Sequence, residues 1–152
     1  VGSEMCIRDS HEVVSEDMTH RAVCVRPEED LYHAYAIMQR CRFHHLPVVE
    51  HGELIGILDD RDILKCTYIR DGILSAGIRA VRDAMHTGPA TCRPSDRIGD
   101  AADQMLHSNV DALVVLDDNQ KVIGILTTKD LLIALRRMEG VLDIGAVLEQ
   151  KL

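Results

Sequence analysis

The chain has 152 residues, 46% of them apolar and 28% charged, with a formal net charge of −8, which is one domain's worth of length and enough to bury a core. Its acidic balance removes the electrostatic term behind nucleic-acid binding and disfavours adsorption to anionic membranes, and no apolar run approaches a membrane span. The five cysteines are scattered without a C-x-x-C pair, which excludes a disulfide framework or zinc knuckle and suits a reducing cytoplasm.

Residues 1–10, "VGSEMCIRDS", show neither helical nor strand periodicity. They resemble a translated sequencing-adapter string; the other reading is a disordered N-terminal tail. Either way they stand outside the fold argument, and a domain upstream stays open.

The rest reads as two copies of one unit, residues 11–66 and 81–138, with a linker at 67–80 and a tail at 139–152. Met18 falls on Met85, Pro27 on Pro94, Ala34 on Ala101, Met38 on Met105, Leu46 on Leu113 and Gly56 on Gly124. Such a repeat is settled before any other assignment.

The first copy opens with a short strand, Val23 to Val25, then Pro27 and a helix. Leu31, Ala34, Ile37, Met38 and Cys41 are spaced to share one face of that helix. A buried strand "HLPVV" follows, then the turn "EHGE" and a second strand "LIGIL", together a hairpin. A final helix opens at "DDRDILKC". The linker "TYIRDGILSAGIRAVRD" predicts a helical turn around Ile78 to Val81.

The second copy repeats the order: strand Ala90 to Cys92, a helix carrying Ile98, Ala101 and Met105, strand "ALVVL", turn "DDNQK", strand "VIGIL", and a helix opening at "TTKDLLIALRRM". Each unit is thus β-α-β-β-α, an α+β arrangement. A lone copy of about sixty residues buries too little to be secure, so the copies are expected to pack sheet against sheet. The closing "RRMEGVLDIGAVLEQKL" is amphipathic, either a dimer contact or the start of a linker.

The pieces "DMT…V…P", "FHHLPVV" and "GILDDRD", in this order and twice over, resemble a tandem pair of CBS domains, the Bateman module. The resemblance covers roughly Val13 to Arg137. It implies two repeats about a pseudo-twofold axis with ligand clefts between them. It also implies a homodimer without catalytic chemistry, cytoplasmic, that senses AMP, ADP, ATP or S-adenosylmethionine and signals by conformational or oligomeric change, with a regulated protein partner as a further possibility. Two other readings stay open: a degenerate pair serving dimerisation or scaffolding, and the detached regulatory part of a larger enzyme or transporter.

The family's ribose-phosphate signature is Gly, two apolar residues, Ser or Thr, two variable residues, then Asp or Asn. The second copy matches it from Gly124 through Ile125, Thr127 and Lys129 to Asp130. A carboxylate suits paired ribose hydroxyls, a Thr hydroxyl at a helix start donates to phosphate, Lys129 adds charge, and the glycine admits a close approach. T-x-x-D before an apolar run is also a capping box, and the two roles can coexist. The resemblance adds Thr19, Ala22, Val23, Phe43 and His44 to this cleft, with Phe43 against an adenine or in the core and His44 on phosphate.

The first copy departs from the signature: Asp59 is a good N-cap but repels an anion. The resemblance assigns the altered cleft Ile57, Asp62, Thr87, Ala90, Val110 and Asp111. This second site is expected to be empty or to take a ligand without phosphate there, the carboxylates surrounding it with negative charge. The eight histidines show no metal-ligand spacing, and adjacent His44 and His45 point to opposite faces of a strand. No nucleophile elbow, P-loop or dinucleotide fingerprint is present. Cys24, Cys41 and Cys66 occupy apolar pattern positions and are expected in the core.

Overall fold

A computed structural model describes residues 12–70, 73–76 and 80–138. The expectations for residues 1–10 and for the tail at 139–152 lie outside the described residues. In chain order the elements are α1 (Val14–Asp17), β1 (Thr19–His20), α2 (Leu31–Cys41), β2 (His45–Glu50), β3 (Glu53–Asp59), α3 (Asp60–Lys65), β4 (Thr67–Arg70) and β5 (Ile73–Ala76). They continue with α4 (Val81–Ala84), β6 (His86–Thr87), β7 (Thr91–Cys92), α5 (Ile98–Ser108), β8 (Ala112–Leu116), β9 (Val122–Thr127) and α6 (Thr128–Met138).

Local chemistry accounts for most of these elements. Asp30 caps α2 by accepting from the N–H groups of Tyr32 and His33, and Arg42 ends it in the left-handed conformation. Asn109 ends α5 in the same way at the matching position. The β2–β3 hairpin turns through His51 and Gly52, both at positive φ, the geometry of a two-residue turn in step with strand twist. The linker is more structured than the sequence suggests, because β4 and β5 pair antiparallel within it. Of the helical turn expected at 78–81, residues 78 and 79 lie outside the described residues, and α4 begins at Val81.

The two repeats exchange their leading segments. One sheet runs β1-β9-β8-β7 and the other β2-β3-β6. Strand β1, at the start of the first repeat, pairs with β9 of the second, with Thr19 opposite Ile125. Strand β6 pairs with β3 of the first, with His86 opposite Ile57. The strand expected at Val23 to Val25 shrinks to one parallel bridge from Val25 to Val48, where its counterpart β7 runs beside β8 over two residues.

The cores follow the exchange. Val14 and Met18 are buried with Ile98, Met105, Leu113, Val115 and Leu126 of the second repeat. Val81 is buried with Leu31, Met38, Leu46, Val48 and Leu58 of the first. Gly56 and Gly124 make these docks possible. A Cβ on Gly124 would lie 2.7 Å from the Thr19 carbonyl oxygen and 2.9 Å from the Met18 sulfur, and one on Gly56 would lie 2.7 Å from the Met85 sulfur and 2.8 Å from the His86 carbonyl. The close approach expected of a ligand at Gly124 is made there by Met18 and Thr19 of the chain itself.

Pro47, on the face of its sheet opposite Leu46 and Val48, lines one cavity together with Ile125 of the other sheet. Lys121 of one hairpin turn donates to the Gly52 carbonyl of the other at 2.9 Å.

Candidate functional site

The repeated phrase places each copy's acidic or hydroxyl residues at a strand-to-helix step. In the second copy β9 hands over to α6 at Thr127. Its N–H and Oγ1 donate to Asp130 Oδ2 at 2.8 and 2.7 Å, and the Asp130 N–H donates back to Oγ1 at 3.4 Å. This is the reciprocal capping box. Thr128 N–H donates to the Asp111 carbonyl at 3.0 Å, as Asp60 N–H does to that of His44 at the same distance, so each helix start is fastened to the residue that leads into its own repeat's β8 or β2 strand.

A cavity of about 870 Å³ opens between the two repeats. The second repeat contributes Ile125, Thr127, Lys129 and Asp130, the first contributes Phe43 and His44 and, from β1 and the segment after it, Thr19, Ala22 and Val23. All nine residues assigned to the intact cleft thus lie on one cavity. So do Arg42, His45, Asp59, Asp60, Arg61 and Asp111, which widens it across the junction. Phe43 is half-buried and also packs against the first core.

Each carboxylate of the first copy's acidic phrase meets a basic side chain. Asp59 caps α3 by accepting from the Arg61 N–H at 2.6 Å. It also takes the Arg61 guanidinium at 2.7 Å and has His45 Nε2 at 3.3 Å. Burial raises its carboxyl pKa, but the hydrogen bonds from Arg61 and the charge of His45 outweigh this and hold it at about 2. Burial lowers the pKa of His45, against the pull of Asp59 and Asp111. Asp60 accepts from His44 Nδ1 at 2.7 Å.

Asp111, assigned to the altered cleft, lines the main cavity instead and meets Arg61 Nη2 at 2.7 Å. Of the other residues of that cleft, Asp62 is buried and bridged by Lys65 at 3.1 Å and His86 at 2.9 Å. Ala90 and Val110 pack against the second core. Thr87 is exposed and Ile57 half-buried. The contact with Asp62 comes from His86, the neighbour of Thr87, because a one-residue step along a strand changes the face on which a side chain projects. His86 is the repeat mate of Thr19 through the Met18–Met85 match, and that match was the signal available in the sequence.

Two cysteines depart from their expected place. Cys24 and Cys41 are exposed, Cys41 on the cavity wall, because Val23–Val25 forms no full strand and Cys41 closes α2 at its last residue. Cys66 is half-buried against the first core. Among the described residues no group of three or more His, Cys, Asp or Glu is placed to hold a metal ion, and no helix is long and apolar enough to cross a membrane.

A family model for the CBS domain matches residues 12–68 and again 81–137. The CBS domain-containing protein YhcV of Bacillus subtilis is 30% identical over 118 residues, covering 78% of this chain and 81% of its own length. Among solved structures, CBSX2 in complex with AMP is similar with a TM-score of 0.71 and 26% identity, over 84% of this chain and 98% of that one; CBSX2 is a CBS-pair protein from Arabidopsis thaliana. The CBS domain pair of MJ0100, solved with 5-methylthioadenosine and S-adenosyl-L-methionine, has a TM-score of 0.73 over 83% of this chain and 97% of that one; at 22% identity it bears on the fold alone. The chain spans only 47%, 22% and 47% of three longer curated relatives, one of them named a homoserine O-acetyltransferase.

Proposed function

Because this chain belongs to the CBS domain family and carries two copies of the domain, we propose that it binds an adenosine-bearing ligand between its repeats and acts as a non-catalytic regulatory module. The reading rests on one observation: a cavity of about 870 Å³ collects Thr127, Asp130 and Lys129 from one repeat with Phe43 and His44 from the other. That volume suits a nucleotide-sized molecule. Asp130 is the acceptor for ribose hydroxyls, the Thr127 hydroxyl turns from Asp130 to an anion at the positive end of the α6 dipole, and Phe43 offers an aromatic edge to a base. CBSX2, a solved relative at 26% identity, is in complex with AMP, which makes AMP the first ligand to try.

Ligand held by both repeats favours one arrangement of them, and a second copy or another protein reads that shift, by no more than the ligand's preference between states. The chain is expected to work as a homodimer in the cytoplasm. A degenerate pair serving as a scaffold is the second reading, favoured by the capping bond between the Thr127 hydroxyl and Asp130. A regulatory part within a longer enzyme or transporter is compatible with either.

Calorimetry with AMP is the test. One site per chain is expected, lost on Asp130→Ala and kept on Asp62→Ala. Two equal AMP sites would overturn the assignment of a single intact cleft. Thermal shifts with AMP, ADP, ATP, S-adenosylmethionine and NAD then rank the ligands, since a ligand bound only by the folded state raises its stability. No shift with any of them would favour the scaffold.

A further inference from the structure

We propose that Arg61 selects for the anionic end of the ligand, and that Asp111 of the other repeat occupies Arg61 until the ligand arrives. The inference rests on the cavity being the ligand site, as argued above.

In the repeat alignment Arg61 matches Lys129 and Asp111 matches His44. All four residues line the same cavity. On one side of the pseudo-twofold, Arg61 Nη2 meets Asp111 Oδ2 at 2.7 Å and ties the first repeat's helix start to the second repeat's strand start. On the other side the mates are Lys129 and His44, two nitrogen bases that cannot form an ion pair. His44 is turned to Asp60 at 2.7 Å, and Lys129 makes no ion pair among the described residues. The cavity therefore has one latched corner and one corner with an available cation.

The two carboxylates on Arg61 are not equivalent. Asp59 is held by Nε at 3.2 Å and Nη2 at 2.7 Å, caps α3, and has a side chain only 13% exposed. Asp111 meets the guanidinium through Nη2, and its side chain is 55% exposed. An exposed pair of this kind is weak, and a guanidinium accepts phosphate oxygens in the geometry it offers carboxylates. A phosphate that reaches Arg61 displaces Asp111 and leaves Asp59 in place. The direct tie between the repeats is then exchanged for a tie through the ligand. A ligand without an anionic group has nothing to compete with, and the pair stays closed.

Titrations of AMP and adenosine against wild type, Asp111→Asn and Arg61→Gln test this, together with the NMR signal of the Arg61 Nε–H, assigned by its absence in Arg61→Gln. Expected for Asp111→Asn is AMP affinity raised about two- to fivefold with adenosine unchanged. Expected for Arg61→Gln is AMP affinity lowered about tenfold or more, again with adenosine unchanged. The Nε–H signal moves with AMP and stays with adenosine. If both ligands bind but shift that signal alike, or neither moves it, the selection by Arg61 is overturned while the cavity reading survives. If neither ligand binds wild type or Asp111→Asn, the cavity reading falls and this inference with it.

Discussion

Thr127 and Asp130 hold each other at the start of α6, hydroxyl to carboxylate at 2.7 Å and backbone N–H to carboxylate at 2.8 Å. The pair that would meet ribose and phosphate is thus also the pair that caps the helix. Thr127→Ala is expected to cost about 1 kcal/mol without ligand, the usual loss on removing such a cap. With AMP present the deficit should widen, because binding is weakened as well. Urea unfolding with and without AMP checks it. A deficit that AMP leaves unchanged would assign Thr127 to the cap alone.

The exchange of leading segments makes a prediction that neither repeat alone would suggest. Met18 precedes the first repeat's helix but is buried in the second core, and its sulfur lies against Gly124. Met18→Ala is expected to cost about 2–5 kcal/mol by opening a cavity. Hydrogen exchange should rise in α5 and β8 before it rises in α2 and β2. Gly124→Ala attacks the same dock from the other side. Its Cβ would lie 2.7 Å from the Thr19 carbonyl, so a loss of about 1–3 kcal/mol and the same exchange pattern are expected.

Stability should fall in acid through Asp59. Its folded-state pKa of about 2 lies below the ordinary 3.8, so the group contributes stability above the unfolded value. That contribution is lost as pH falls from about 4 through about 2, and it amounts to something on the order of 2 kcal/mol. Unfolding midpoints of wild type and Asp59→Asn between pH 2 and 6 should therefore converge at the acid end. Parallel curves over that range would show that Asp59 does not carry the effect.

The elements that the sequence makes legible are those whose causes are local. The two copies, the helix faces of Leu31, Ala34 and Met38, the hairpin at Gly52 and the cap at Asp59 each follow from residues within a few positions of one another. The signature from Gly124 to Asp130 was readable for the same reason, since one strand-to-helix step carries all of it. Even there, the glycine's neighbour turned out to be Met18 and Thr19, which lie a hundred residues away in the chain.

What the sequence by itself determined is the repeat, the α+β order of each copy, and the helix starts that bring hydroxyl and carboxylate together. Only the tertiary structure decided that β1 and β6 change places between repeats, that His86 covers Asp62, and that Arg61 reaches Asp111 across the junction. The reason is physical. Periodicity and capping leave their mark within a turn or a strand, whereas pairings between segments far apart depend on which apolar faces meet when the core closes. A charge such as Arg61 gains its role only after that choice, when Asp111 of the other repeat arrives beside it.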